Sequence, residues 1–148
     1  MNEHTNIDYA NMPSSYMMCF NTACPKAATC LHLMAGANLP ATYTCGLAIY
    51  PNMQTGENGC KFFDEAQPKQ MAWGFSALFE IVRYRDAKRL REAMKKLLGC
   101  HTNYYRYNRG EKLLNPKQQE QIRKLFRKYG YDTGIEFDHY VTTYDFKV

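Results

Sequence analysis

Apolar residues recur with a helical period in the second half of the chain and predict two amphipathic helices. From Arg85 to Leu98, one face is formed by Ala87, Leu90, Met94, Leu97 and Leu98. Gly99 follows as a stop signal. A second helix is predicted from the cap Asn115, with Pro116 in its first turn, to Gly130. Its apolar stripe consists of Ile122, Leu125, Phe126 and Tyr129.

The remaining elements are shorter. The pattern predicts a helix from Lys26 to Ala35 that includes Cys30, and an ambiguous helix from Gln70 to Val82 whose residues Trp73, Phe75 and Phe79 enter the core. Strands are predicted where β-branched and aromatic residues concentrate, at 42–50, 102–107 and 136–146. We therefore expect an α+β fold: a single small domain with two amphipathic helices, a small antiparallel sheet and a Cys-rich N-terminal loop region.

Length and composition place the chain among globular proteins. With 148 residues, 45% of them apolar and 14% aromatic, it is predicted to form one domain over 1–148, with a Cys-rich half at 1–60 and a basic helical half at 61–148. Its richest apolar run, Met71 to Val82, contains Glu80 and is too short to cross a bilayer. The first residues lack the basic start and apolar run of a signal peptide, so a cytoplasmic location is expected.

The net charge of +5 conceals a strong asymmetry. Residues 1–60 carry −2, whereas the stretch from Arg83 to Lys128 has fifteen Lys and Arg against four acidic residues, a net charge of +11. A positive face of this kind attracts phosphates and other anions. It predicts a nucleic acid, another polyanion or an acidic protein as partner, with a merely solvated helix face as the alternative. The sequence predicts no membrane partner.

Arginine and tyrosine residues alternate in the segment that connects the two predicted helices. Arginines beside aromatic rings pair with phosphates while the rings stack on bases. The residues predicted to bind a polyanion are Tyr105, Arg106, Arg109, Arg123 and Arg127.

Three cysteines fall within twelve residues, as Cys19-x4-Cys24-x5-Cys30, and Cys60 follows a glycine-rich turn. In a reducing compartment, clustered thiolates indicate a metal. Zinc and a four-iron cluster are equally compatible, because the C-x2-C pair of zinc ribbons is absent and Cys24-Pro25 matches the Cys-Pro step of ferredoxin-type ligation. The predicted metal ligands are Cys19, Cys24, Cys30 and Cys60.

Alternatives to this set remain open. Cys45 or His32 is able to replace Cys60 as the fourth ligand, although Cys45 lies in an apolar pattern typical of a core position. Cys100 and His101 are adjacent and, in an extended segment, point to opposite faces, which argues against a catalytic pair. A metal-free protein with buried structural thiols is the third interpretation.

Known catalytic patterns are missing from the sequence. It contains no phosphate-binding glycine loop, no His-Glu zinc-protease motif and no nucleophile elbow, so an enzyme is less expected than a binding protein. The first hypothesis is a non-enzymatic thiolate metal-binding module whose basic face binds a polyanion or a protein. The second is an iron-sulfur redox or sensing protein with the basic face as its docking surface.

Several short motifs resemble those of a bacterial family of small uncharacterised proteins. They are Cys19-Phe20-Asn21, Cys24-Pro25-Lys26-Ala27, Cys30-Leu31, Ala72-Trp73-Gly74, Tyr104-Tyr105-Arg106 and Arg109-Gly110-Glu111. The resemblance covers most of the chain and implies that the four predicted metal ligands form one set. Lys61 departs from the family pattern, in which proline is expected after the last cysteine. The family has no assigned activity, so the resemblance implies no mechanism.

Overall fold

A computed structural model describes residues 7–53 and 60–146, which form two compact units. The N-terminal unit comprises residues up to Pro68 together with Phe146, and the C-terminal unit runs from Lys69 to Asp145. The border between these units lies after residue 68, and the predicted single domain with halves at 1–60 and 61–148 stays a prediction. The predicted glycine turn at 55–59 lies outside the described residues. In the described part of the chain, no helix has both the length and the apolar character needed to cross a membrane.

The N-terminal unit contains a 3-10 helix, Ala27–Thr29, and helix α1, Leu31–Ala37. The predicted continuous helix is wrong because Cys30 has an extended backbone, with φ −93° and ψ 124°, and forms an isolated antiparallel bridge with Glu65. Cys30 thus precedes α1 instead of lying within it. Gly36 does not end the helix. A Cβ there would lie 2.3 Å from the Cys19 carbonyl oxygen, so glycine permits close backbone contact.

The strand predicted for residues 42–50 is absent. Residues 41–48 are all exposed, and their strand-type pairing in the described chain is limited to an isolated parallel bridge between Ala48 and Met18. An apolar sequence pattern stabilises a strand only when one of its faces is covered. Cys45 is consequently an exposed residue and not a core residue.

The C-terminal unit contains most of the regular structure. In chain order its elements are β1 (Pro68–Trp73, whose first residue is the border residue), α2 (Ser76–Glu80), α3 (Tyr84–Leu97), α4 (His101–Arg109), α5 (Pro116–Lys128) and β2 (His139–Tyr144). The strands form a two-stranded antiparallel sheet. The Asp138 amide donates to the Gly74 carbonyl (3.1 Å) at one end, and Lys69 pairs with Asp145 (3.7 Å) at the other. The predicted α+β class is confirmed.

Helices α3 and α5 confirm the two predicted amphipathic helices. Helix α5 begins with a capping box, in which the Asn115 side chain accepts from the Gln118 amide (2.9 Å) and the Gln118 side chain accepts from the Asn115 amide (3.0 Å). Helix α3 packs against both α4 and α5. Its buried residues Leu90 and Met94 meet Ile122 and Phe126 of α5 in one apolar core.

Two predicted elements of this unit are wrong. Residues 70–82 do not form one helix, because Gly74 adopts a positive φ of 86° and turns the chain between β1 and α2. Residues 102–107 are helical rather than extended. Tyr104 enters the core from α4, and this tertiary contact outweighs the β propensity of the tyrosine-rich sequence. Phe75 is buried as predicted, whereas Trp73 and Phe79 are half-buried.

Candidate functional site

Backbone hydrogen bonds hold two of the predicted thiol residues beside other parts of the N-terminal unit. The Cys19 amide donates to the His32 carbonyl (3.0 Å). Next to Cys30, the Leu31 amide donates to the Asp64 carbonyl (2.7 Å), which fixes the start of α1 against the segment that follows Cys60. The fold therefore brings segments distant in sequence close to these two cysteines.

The other two predicted ligands lie in turns. The Cys24 carbonyl accepts from the Ala27 amide (3.0 Å), and the Cys60 carbonyl accepts from the Phe63 amide (3.0 Å). The Lys26 ammonium lies 4.3 Å from the centre of the Phe63 ring, so these two turns contact one another. Cys24 and Cys60 thus belong to neighbouring segments.

The thiol side chains themselves do not form a metal-ligand group in this structure. Within residues 7–53 and 60–146, no three His, Cys, Asp or Glu side chains are placed to hold a metal ion. Each described cysteine is a free thiol: Cys19, Cys24, Cys30 and Cys60 are half-buried, while Cys45 and Cys100 are exposed. None of the six is fully buried. The four-thiol site stays a prediction.

His32 has structural contacts that occupy its ring. The side chain is buried, its Nδ1 hydrogen-bonds the Met17 carbonyl, and its ring stacks on Tyr16 with centroids 4.4 Å apart. The Tyr16 hydroxyl donates to Asp64 Oδ2 (3.0 Å). Burial, followed by the negative charge of Asp64 and the nearby Cys30 thiol, raises the pKa of Tyr16 far above its ordinary value. This cluster holds the thiol-bearing segments in a fixed arrangement.

The arginines predicted from the sequence to bind a polyanion are mostly engaged within the C-terminal unit. Arg109 Nε lies 2.8 Å from Glu111 Oε1, and Arg127 Nη1 lies 2.9 Å from Glu120 Oε1. Arg123 Nη2 donates to the Tyr140 hydroxyl (3.3 Å). Its guanidinium also lies 5.4 Å from the Phe137 ring centre. Only Arg106 of the four is an exposed cation without a side-chain partner among the described residues.

The predicted aromatic stacking platform is not open. Tyr104 is buried, and Tyr105 packs on the core with its ring edge against Tyr104, the centroids being 5.1 Å apart. The Tyr107 hydroxyl accepts from the Gln118 side chain (3.1 Å). Because α4 is a helix, these side chains do not alternate between two faces as they would on a strand. Tyr105 is therefore mainly a packing residue.

Six other cations form two ordered rows on the exposed helix faces. The α3 row comprises Arg85, Arg89 and Lys96, and the α5 row comprises Lys117, Lys124 and Lys128. The α3 spacing is i, i+4, i+11 and the α5 spacing is i, i+7, i+11, so each set lies along one side of its helix. All six side chains are exposed and, within the described residues, none forms an ion pair.

Carboxylates near the rows are already paired with other cations. A hydrogen bond from Arg127 is the main cause that lowers the pKa of Glu120, with smaller contributions from Lys124 and Arg123. On α3, a hydrogen bond from Lys95 lowers the pKa of Glu92. Each of these carboxylates is therefore engaged chiefly by one cation of its own helix. Two criteria define the rows: the six cations lie along one side of their helix, and none of them forms one of these ion pairs. The helical positions could have been derived from the sequence, whereas the ion pairs could not.

Comparison with known proteins assigns a family but no activity. Residues 1–146 match the model of a family of unknown function, DUF6078, and the chain belongs to that family. No curated protein and no solved structure is detectably similar to the chain. The family resemblance noted in the sequence is thereby confirmed.

Proposed function

We propose that this DUF6078 member is a non-enzymatic nucleic-acid-binding protein that contacts phosphates through the α3 row and the α5 row. The observation that supports this proposal is the pairing pattern of the cations. Arg109 and Arg127 have carboxylate partners, whereas the six row cations are exposed and form no ion pair among the described residues. Cations without intramolecular partners need no ion pair broken before they contact a phosphate.

The dimensions of each row suit a polyanion with closely spaced charges. Eleven residues of α-helix span about 16 Å, at 1.5 Å per residue. Duplex DNA presents one phosphate per about 1.7 Å of its axis, so several phosphates lie within reach of one row. An isolated carboxylate on a folded protein would contact only one of the three cations. The alignment of three cations along one side of each helix therefore favours a nucleic acid over an acidic protein surface, which is the competing partner.

Salt-dependent binding tests this function. A labelled 20-nucleotide strand and the corresponding duplex are titrated with the full chain at several salt concentrations. For every phosphate that a variant no longer neutralises, the slope of log K against log salt should become shallower by about 0.7–0.9. We expect a slope reduced by about 2–3 in the α5-row variant Lys117→Gln, Lys124→Gln, Lys128→Gln.

A matched variant removes the same charge from paired positions. Lys69, Arg109 and Arg127 each lie within ion-pair distance of a carboxylate, at 3.7, 2.8 and 2.9 Å. Their simultaneous replacement by glutamine should reduce the slope less than the α5-row variant does. Equal reductions would attribute binding to net charge alone, and the absence of salt-sensitive binding by the native chain would overturn the proposal.

A second candidate function is metal binding by the N-terminal unit through Cys19, Cys24, Cys30 and Cys60. The contact between the turns of Cys24 and Cys60 supports it, as does the free, half-buried state of all four thiols. Zinc would bind as a structural ion and a four-iron cluster would add redox or sensing chemistry. Metal content and visible absorption of anaerobically purified protein test this candidate. A colourless, metal-free protein that also fails to bind added zinc would exclude it.

A further inference from the structure

Tyr84 is the most exposed large hydrophobic side chain among the described residues of the C-terminal unit. It is the first residue of α3 and retains 99% of its accessible surface. The other exposed large apolar side chains of this unit are covered to a greater extent, with 37–41% exposure at Ile81, Leu97, Tyr140 and Val141. The ring of Tyr84 therefore contributes almost no packing to the folded chain.

Cations surround Tyr84 along the chain and along the helix. Arg83 precedes it, Arg85 of the α3 row follows it, and Lys88 lies one helical turn further on; all three are exposed. This arrangement places a flat apolar ring in the first turn of α3, one residue before Arg85 of the α3 row and on the same side of the helix as Lys88. A ligand that complements it must combine negative charge with a flat aromatic surface, which is the chemistry of a nucleotide.

We infer that Tyr84 stacks on an unpaired base and thereby gives the protein a preference for single-stranded nucleic acid. The inference rests on the proposed function, since the α3 row supplies the phosphate contacts. Base faces within a duplex are covered by neighbouring bases, so stacking by a surface tyrosine adds affinity only for single strands or unpaired ends. Phosphate contacts, in contrast, add affinity for both single-stranded and duplex nucleic acid.

The test compares three substitutions at Tyr84 on two ligands. Tyr84→Ala, Tyr84→Leu and Tyr84→Phe are titrated against a labelled single strand of 20 nucleotides and against a blunt-ended duplex of equal charge that has no loop. Tyr84→Ala should weaken single-strand binding by roughly 5- to 150-fold. Tyr84→Phe should retain the native affinity because its ring also stacks. Tyr84→Leu should resemble Tyr84→Ala, which separates stacking from general apolar contact.

Two further readouts distinguish stacking from charge. None of these substitutions removes a charge, so the salt slope should not change, and the affinity for the duplex should stay within about twofold of the native value. The α3-row variant Arg85→Gln, Arg89→Gln, Lys96→Gln should instead weaken both ligands and reduce the slope. Because Tyr84 is exposed, the variants should fold normally, and circular dichroism checks this.

Each outcome decides between the inference and the proposed function. Unchanged single-strand affinity in Tyr84→Ala would overturn base stacking while leaving phosphate binding intact. An equal loss of affinity for the single strand and the duplex would also overturn it. If poly-glutamate displaces the labelled strand and this displacement requires Tyr84, the partner would be an acidic protein instead. Failure of the native chain to bind either ligand would overturn the proposed function itself.

Discussion

Arg127 Nη1 lies 2.9 Å from Glu120 Oε1, and Lys124, between them in sequence, stays free of an ion pair within the described residues. The pair occupies the exposed surface of α5 beside the α5 row. Glu120 therefore limits the positive charge of this surface in two ways: it adds a negative charge, and it holds the guanidinium that would otherwise extend the row.

Removing this carboxylate should strengthen binding. Glu120→Gln releases Arg127 and raises the net charge by one, so we expect tighter binding to a 20-nucleotide strand and a salt slope steeper by up to about 0.7–0.9. Glu65→Gln changes the net charge equally but lies in the N-terminal unit and serves as the control. Fluorescence anisotropy at several salt concentrations measures both variants. Weaker binding by Glu120→Gln would contradict the assignment of α5 to the interface.

A metal bound by thiolates should couple to the stability of the N-terminal unit. If Cys24 is a ligand, Cys24→Ala in metal-loaded protein should lower the melting temperature by several degrees, since metal binding adds to the free energy of folding. The matched variant Cys100→Ala alters an exposed thiol at the N-terminus of α4 and should have little effect. Differential scanning calorimetry with and without a chelator measures the difference. Equal effects of the two substitutions would argue against a metal at Cys24.

Substitution of two glycines with positive φ would separate the effect of steric overlap on stability from the effect of backbone strain. At Gly110 (φ 79°) a Cβ atom would lie 2.8 Å from the Trp73 ring, whereas at Gly130 (φ 93°) a Cβ atom would meet no described atom within 4 Å beyond its immediate chain neighbours. Gly130→Ala should reduce the free energy of unfolding by about 1–2 kcal/mol through backbone strain alone. Gly110→Ala should reduce it by about 1–3 kcal/mol more through overpacking. Urea denaturation compares the two, and equal reductions would mean that the Trp73 ring moves freely.

Alkaline pH should destabilise the N-terminal unit through Tyr16. Burial and the nearby Asp64 raise the pKa of Tyr16 in the folded chain, while an unfolded tyrosine loses its proton near pH 10. The unfolded chain then binds fewer protons than the folded chain. The stability contributed by neutral Tyr16 is therefore complete below about pH 10 and is lost as pH rises toward the folded pKa, by up to about 1.4 kcal/mol per pH unit.

The control for this pH effect is Tyr16→Phe, which has no ionisable hydroxyl. Its stability at pH 8 should be lower than that of the native chain because the hydrogen bond to Asp64 is removed. Between pH 10 and 11, however, its stability should fall less steeply. Urea denaturation at closely spaced pH values gives both slopes, and identical slopes would refute the role of Tyr16.

Local signals made two helices predictable from the sequence. In α5, the cap, the proline and the apolar stripe all lie within one segment, and the structure shows the predicted cap Asn115 in a capping box with Gln118. The pattern of Leu90 and Met94 likewise predicts the buried face of α3. Such helices can be predicted without a structure because local propensity and tertiary packing favour the same conformation.

Elements that depend on distant partners were not predictable. The tyrosines of α4 favour a strand locally, but Tyr104 packs beside Phe75 in the core, with ring centroids 5.0 Å apart. Residues 42–50 have a strand-like pattern without a covering layer. Among the candidate site residues, Arg109, Arg123 and Arg127 could be chosen from sequence only by charge. Their pairing partners depend on side-chain positions that no spacing rule specifies.

The carboxylate of Asp138 caps a helix that lies far earlier in the chain. Its two oxygens accept from the Ser76 amide (3.0 Å) and the Ala77 amide (2.7 Å) at the start of α2, and its partner Ser76 is 62 residues away. A ribosome that adds about 5–20 residues per second needs about 3–12 seconds to produce that interval. Until then the first turn of α2 lacks these two hydrogen bonds, so its cap can form only after the segment that leads into β2 has been synthesised. The C-terminal unit therefore cannot complete its fold before nearly all of its chain has been made.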